Sequence, residues 1–254
     1  MSSLSYHRIR GAIGSPVLAV LTALTALTVV IGVWTIPHRI VPSEAAVFPG
    51  IPTVGALLIK GRAEPVCTAS VVRSPGGDLL LTAAHCLGAT LRHNLAFAPA
   101  YHDGKAPWGT WTVARQFMPA GWFPRRRADT GVNIDFAFLV VRGDVQRYTG
   151  AEIVGSSWPV PALVRVVGYV NHTDHYPITC VQQPETIIVE GQRQLKFVCG
   201  GYAGATSGAP FLVGKTVVGV LGGYEKGGIS RSVSYSSPFG PALHAFYREV
   251  TRAL

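Results

Sequence analysis

Three segments of the sequence carry residue types that could together perform nucleophilic catalysis. Residues 206–210 read Thr-Ser-Gly-Ala-Pro and place Ser207 in a tight, glycine-rich turn. Residues 81–86 read Leu-Thr-Ala-Ala-His-Cys and place His85 at the end of an apolar strand, and Asp135 directly precedes the apolar run 136–141. A hydrolytic serine needs a base to accept its proton and an acid to fix the tautomer of that base. Ser207, His85 and Asp135 are therefore the candidate catalytic residues.

Other residues fit these roles less well, although some alternatives stay open. Ser207 alone could be an ordinary serine in a Gly-Pro turn, and Asp129 is the alternative acid. His172, Asp174 and His175 could bind a metal ion, but a polar surface loop is the simpler interpretation, and no metal site is predicted. His93 and His102 lie in polar, loop-like surroundings and are not candidates for the base.

These segments resemble the trypsin/chymotrypsin-like serine peptidases, in particular exported bacterial members, over roughly residues 50–254. The chain order His, Asp, Ser is that of chymotrypsin-like enzymes and differs from the orders in subtilisins and α/β-hydrolases. Many short strand-like segments joined by turns predict an all-β protein. The resemblance implies two six-stranded antiparallel β-barrels, about 46–150 and 151–254, with the active site between them. It also implies a C-terminal helix, and Pro241 followed by apolar residues at helical spacing fits this.

The resemblance also assigns the residues around the catalytic serine. The oxyanion hole would be formed by the backbone N–H groups of Ala205 and Ser207. Substrate would bind along Gly222, Gly223 and Tyr224. The floor of the specificity pocket would lie near residues 200–202, where no acidic residue could attract Arg or Lys, so a neutral or apolar substrate side chain is expected.

The sequence departs from the family pattern at three positions near the site. Ala205 replaces a glycine whose peptide needs a conformation that glycine tolerates best, so the oxyanion hole is expected to be strained. Thr206 replaces an aspartate that pairs with a new N-terminal amine in enzymes activated by cleavage, so we predict that no such insertion is needed. Gly222 lacks a hydroxyl group that often supports the catalytic aspartate.

Four cysteines are present, all after residue 60. An even number in an exported chain suggests disulfides, with free thiols or a zinc site as alternatives. Zinc is disfavoured because the sequence has no Cys-x-x-Cys motif. The resemblance implies a Cys67–Cys86 bridge that closes the loop carrying His85, and a second bridge between Cys180 and Cys199.

The N-terminal residues 1–45 are predicted to be an export signal or a membrane anchor. Arg8 and Arg10 precede an apolar run from residue 12 to residue 36, which is long for a signal-peptide core and long enough to span a bilayer. Small residues at 43 and 45 could mark a cleavage site. In either case residues 46–254 should be extracytoplasmic, either secreted or tethered to the membrane.

The predicted function is that of an exported serine endopeptidase with a protein or peptide substrate. The net charge of +9 could attract acidic substrates or anionic cell-wall polymers, although general solubility is the simpler explanation. No nucleic-acid-binding motif and no cofactor requirement are found, and a monomer is expected. The competing hypotheses are a catalytically inactive homologue that acts as a binding or cell-surface scaffold, and an esterase on the same fold.

Overall fold

The computed structural model of this chain describes residues 43–88, 94–122, 132–161, 163–171, 176–189 and 191–254. Most of the predicted export segment, the alternative acid Asp129 and the group His172, Asp174 and His175 lie outside the described residues. Within the described part of the chain, no helix is long and apolar enough to cross a membrane.

The first half forms a closed antiparallel barrel of six strands in the order β2-β3-β4-β7-β6-β5. Alternating side chains fill its interior, and Leu57, Leu80, Phe97 and Leu139 are fully buried. β5 was not predicted from the sequence. The strands are β2 (Val54–Ile59), β3 (Pro65–Val71), β4 (Leu79–Thr82), β5 (Leu95–Pro99), β6 (Trp111–Phe117) and β7 (Ala137–Val141).

The described strands of the second half form two sheets. A six-stranded sheet has the order β1-β10-β9-β13-β14-β8, and a three-stranded sheet has the order β11-β12-β15. The six-stranded sheet includes β1 from the start of the described chain. The strands are β1 (Ala46–Val47), β8 (Ile153–Val154), β9 (Val164–Gly168), β10 (Ile178–Gln182), β11 (Glu185–Val189), β12 (Gln192–Val198), β13 (Pro210–Val213), β14 (Thr216–Val220) and β15 (Val233–Ser236).

In the described residues two α-helices accompany the strands. They are a single turn, α1 (Gln146–Thr149), and the C-terminal α2 (Pro241–Arg252). α2 confirms the helix predicted from Pro241, which occupies its first turn. This helix packs against the first barrel, since the ring centroids of Phe138 and Phe246 lie 5.5 Å apart. Phe136 and Phe239 meet edge to face at 6.3 Å. These aromatic contacts place one apolar core across both halves.

Both predicted disulfides are confirmed. Cys67 is bonded to Cys86, and Cys180 is bonded to Cys199, with a sequence separation of 19 residues in each case. In the chain-entropy model, a loop of this length stabilises the fold by roughly 3 kcal/mol. The first bridge fixes the turn after β4 to β3, and the second ties β10 to the end of β12.

Glu152 lies between the two halves and is largely buried. Its backbone N–H donates to the Val71 carbonyl at 2.9 Å, and its carbonyl accepts from the Arg73 N–H at 3.0 Å. The side chain is 4% exposed, and Oε1 accepts a hydrogen bond from the Thr53 hydroxyl. Oε2 is buried without a hydrogen-bond partner among the described residues. Burial raises the pKa of this carboxyl group, against the smaller opposing effects of Thr53 and Lys215.

We expect Glu152→Gln to increase the free energy of unfolding by about 1 kcal/mol near pH 8 and to change it little near pH 4. Because burial raises the pKa of Glu152, the folded protein binds this proton more tightly than the unfolded chain. The wild type therefore loses stability as the pH rises from the unfolded pKa through the folded one. Urea unfolding of both proteins at the two pH values measures this difference.

The control is Glu185→Gln, which removes an exposed carboxylate that pairs with Lys196 at 3.1 Å. Exposed ion pairs contribute only about 0–1 kcal/mol, so this variant should show no gain near pH 8. An equal effect of Glu152→Gln at both pH values would contradict the burial argument.

Candidate active site

His85 and Asp135 form a close pair at the end of the first barrel. His85 lies in a short 3₁₀ turn, Ala84–Leu87, directly after β4, and Asp135 directly precedes Phe136 and β7. β4 and β7 are adjacent antiparallel strands, which brings the two residues together. His85 Nδ1 lies 2.7 Å from Asp135 Oδ2, and the His85 backbone N–H donates to Asp135 Oδ1 at 2.9 Å. Asp135 can therefore orient the imidazole ring.

The Asp135 carboxylate is fully buried, with an exposed fraction of 0%. Burial alone would raise its pKa, but the charge of His85 and hydrogen bonds from His85 and the Gly223 N–H outweigh burial and lower the pKa below the usual value. The Gly223 N–H donates to Oδ2 at 2.7 Å. This backbone N–H donates to Asp135 in place of the side-chain hydroxyl that Gly222 lacks. A Cβ atom at Gly222 would lie only 3.0 Å from Oδ2.

Ser207 lies in a turn of the second half that is hydrogen-bonded to the first barrel. Its carbonyl accepts a hydrogen bond from the Thr68 N–H at 2.8 Å, and the Gly208 N–H donates to the Leu221 carbonyl at 2.7 Å. Cys86 Sγ, next to His85 in the chain, lies 3.6 Å from the same Ser207 carbonyl oxygen. The described hydrogen bonds do not include one between the Ser207 hydroxyl and the His85 ring. In enzymes without substrate such bonds are often long and tighten on binding.

Gly208 is the one residue of this turn whose conformation excludes other side chains. Its φ is +82°, in the left-handed region. A Cβ atom here would lie 2.2 Å from both the Thr68 carbonyl oxygen and the Thr82 hydroxyl oxygen. The turn can therefore approach the first barrel this closely only with glycine after Ser207.

Two backbone N–H groups are free at the predicted oxyanion hole. Neither the Ala205 N–H nor the Ser207 N–H donates a hydrogen bond to any residue that the structure describes. Ala205 has φ +74°, so a non-glycine residue does occupy the left-handed conformation, as the sequence analysis expected. For an L-residue this conformation costs roughly 1–2 kcal/mol. A pair of unpaired N–H groups can bind a developing negative charge.

Thr68 stabilises the strained turn. Its side chain is fully buried, and its hydroxyl donates to the Ala205 carbonyl at 3.0 Å while accepting from the Tyr169 N–H at 3.0 Å. Thr206 contributes a second neutral contact, since its hydroxyl donates to the Ala203 carbonyl at 2.6 Å. The turn is thus fixed by neutral hydrogen bonds at the position where the family pattern has a charged residue.

Gln194 is a second supporting residue that the sequence analysis missed. This fully buried side chain on β12 donates to the Asn133 side chain at 3.0 Å and accepts from the Tyr224 N–H at 3.3 Å. It therefore links the predicted substrate strand to the turn that carries Asp135. No local pattern marks Thr68 or Gln194, because each is an isolated polar residue whose partners are distant in sequence.

The predicted floor of the specificity pocket, near residues 200–202, lies only partly at the cavity beside Ser207. A cavity of about 280 Å³ adjoins Ser207, and of the residues 200–202 only Tyr202 lines it. Gly200 and Gly201 face the start of the described chain instead, where the Ala45 N–H donates to the Gly200 carbonyl at 3.0 Å. Gly222, Gly223 and Tyr224 do not line this cavity, although they directly follow Leu221, which does.

Comparison of the fold with solved structures identifies its class. Protease Anisep from Arthrobacter nicotinovorans superposes with a TM-score of 0.68 at 19% identity, over 82% of this chain and 99% of that one. A Glu endopeptidase gives 0.67 at 14% identity, over 84% and 99%. A mutant of human heparin binding protein gives 0.60 at 12% identity, over 84% and 97%. This is the fold of the chymotrypsin-like serine proteases.

The resemblance to trypsin/chymotrypsin-like peptidases inferred from the sequence is therefore confirmed at the level of the fold. No protein-family model matches the sequence, and no curated protein matches it.

We expect Thr68→Val to slow the reaction of Ser207 with a fluorophosphonate probe by about 10-fold or more. The change keeps the shape of the side chain but leaves the Ala205 carbonyl and the Tyr169 N–H unpaired, so the strained turn loses its support. The rate constant of labelling measures the effect, and Thr68→Ser, which keeps the hydroxyl, should restore it.

Thr149→Val is the matched control, because Thr149 is also buried and its hydroxyl also donates to a backbone carbonyl, at 3.1 Å. Its loss should lower the unfolding free energy without slowing labelling. If both valine variants fold and slow labelling equally, Thr68 has no specific role in positioning the turn.

Proposed function

We propose that this chain is an exported serine endopeptidase that hydrolyses peptide bonds through an acyl-enzyme. The observation that carries the proposal is the hydrogen bond between His85 Nδ1 and the buried Asp135 carboxylate, in a fold where the Ser207 turn is bonded to the same barrel. The sequence order of the three residues and the fold of the neighbours support the same reading.

In the proposed reaction, Ser207 Oγ attacks the carbonyl carbon of the scissile peptide bond while His85 Nε2 accepts its proton. Asp135 holds Nδ1 protonated and stabilises the imidazolium ion that forms. The N–H groups of Ala205 and Ser207 bind the oxyanion of the tetrahedral intermediate. His85 then protonates the leaving amine, and water hydrolyses the acyl-enzyme by the reverse sequence of proton transfers.

Export is proposed on two grounds. Disulfides persist in oxidising compartments, and both pairs of cysteines are bonded here. The N-terminal sequence has the order of a basic segment followed by an apolar run. We propose a secreted monomer, or a tethered form if residues 1–45 are retained.

The competing reading is a non-catalytic scaffold, and one neighbour of the same fold is a heparin binding protein by name. The Ala205 and Ser207 N–H groups, which donate to no described residue, favour the enzyme because they are available to bind an oxyanion. An esterase is distinguished by comparing matched ester and amide substrates.

Labelling by a fluorophosphonate probe tests the proposal directly. The wild type should be labelled on Ser207, and Ser207→Ala and His85→Ala should not, because the hydroxyl is a poor nucleophile without its base. Circular dichroism establishes that each variant is folded. An unlabelled but folded, disulfide-bonded wild type would establish the scaffold instead.

Asp135→Asn should reduce kcat by about 10⁴-fold near pH 7 while leaving the protein folded. An asparagine amide can present its N–H to Nδ1 and favour the wrong tautomer of His85. Part of the activity should return at high pH, where hydroxide competes as the base. A decrease below about 10-fold would show that Asp135 does not orient the base.

A further inference from the structure

The charged residues that line the cavity beside Ser207 are all basic. It is lined by residues that include Ser207, Lys226, Ser230, Arg231 and Ser234, and none of its lining residues is acidic. Within the described part of the chain, Lys226 and Arg231 have neither an ion-pair partner nor a side-chain hydrogen bond. Two solvent-exposed cations without an ion-pair partner among the described residues therefore line a polar cavity of about 280 Å³ that adjoins the candidate nucleophile.

The backbone holds Lys226 in this position under strain. Glu225 and Lys226 both adopt left-handed conformations, with φ values of +50° and +54°. For an L-residue this costs roughly 1–2 kcal/mol. Consecutive strained residues persist only where the surrounding structure fixes them, and they cluster at functional sites.

The surrounding structure does fix this segment. A Cβ atom at Gly227 would lie 2.4 Å from the Leu221 side chain, and one at Gly228 would lie 2.3 Å from the Val233 carbonyl oxygen. The Lys226 N–H donates to the Gly223 carbonyl at 2.9 Å. Since the Gly223 N–H binds Asp135, the cationic segment is connected directly to the candidate catalytic residues.

We propose that this cavity is a specificity pocket for a carboxylate, and that the enzyme cleaves after Glu or Asp. This inference rests on the proposed function, because it takes Ser207 as the nucleophile and the adjoining cavity as the site of the substrate side chain. Lys226 and Arg231 supply the counter-charges, and the serine hydroxyls supply neutral donors. A cationic substrate side chain is repelled, and an apolar one gains no charge-assisted hydrogen bond from either cation.

Binding to an inactive variant tests the inference without requiring catalysis. Fluorescein-labelled peptides that differ only in Glu, Asp, Gln, Phe or Arg at the tested position are titrated into full-length Ser207→Ala, and anisotropy is measured. The Glu or Asp peptide should bind about 10- to 100-fold more tightly than the Gln peptide, the range for hydrogen bonds to charged groups. The comparison of Glu with Asp defines the depth of the pocket.

Substitutions identify the residues responsible. Lys226→Met and Arg231→Met, each in the Ser207→Ala background, should lower the Glu-to-Gln affinity ratio by about 10-fold or more. Lys105→Met removes the same charge from an exposed residue that does not line the cavity, and the ratio should stay at the value of the parent. Raising the salt concentration should weaken binding of the Glu peptide more than that of the Gln peptide.

Active protein gives a second readout. Quenched peptides with the same set of residues should be cleaved by the wild type with kcat/KM at least about 10-fold higher for Glu or Asp than for Gln. A Glu-to-Gln ratio near one in both binding and cleavage, or an effect of Lys105→Met equal to that of Lys226→Met, would overturn the inference. Normal fluorophosphonate labelling would in that case leave the proposed function intact.

Discussion

The structure around the site depends on the burial of one negative charge. The Asp135 carboxylate has no access to solvent, and burying a charge without partners is strongly unfavourable. Three N–H groups satisfy it: the His85 backbone, the His85 ring and the Gly223 backbone. The first two belong to the first barrel and the third to the second half. Pairing this charge therefore requires both halves to be in register.

A second connection is neutral and runs through Thr68. The N–H of this β3 residue donates to the Ser207 carbonyl, and its carbonyl accepts from the Thr82 hydroxyl at 2.7 Å. Its hydroxyl donates to the Ala205 carbonyl and accepts from the Tyr169 N–H. A charged side chain at position 206 would need a counter-ion, whereas the hydrogen bonds of Thr68 need only groups of the folded chain. The strain at Ala205 is tolerated because its neighbours on the turn are fixed in this way.

The sequence predicts the elements near the site better than their surroundings. His85, Asp135 and Ser207 stand out because each adjoins a strand or turn with a clear local pattern, and Pro241 marks the start of α2. β5 was missed because its run Leu-Ala-Phe-Ala-Pro is short and ends in proline. Thr68, Gln194 and Lys226 were missed for another reason. Their roles arise from contacts between residues far apart in the chain, which local periodicity does not encode.

The charges around the site are distributed unevenly between the catalytic residues and the adjoining cavity. The Asp135 carboxylate is buried and hydrogen-bonded to His85 and to the Gly223 N–H, and it does not line the adjoining cavity. The cations of the segment 226–231 therefore face a cavity with no internal counter-charge. The chain as a whole carries +9, which under the proposed function would add long-range attraction for acidic segments of a substrate. The net charge and the charge at the proposed pocket would then favour the same kind of substrate.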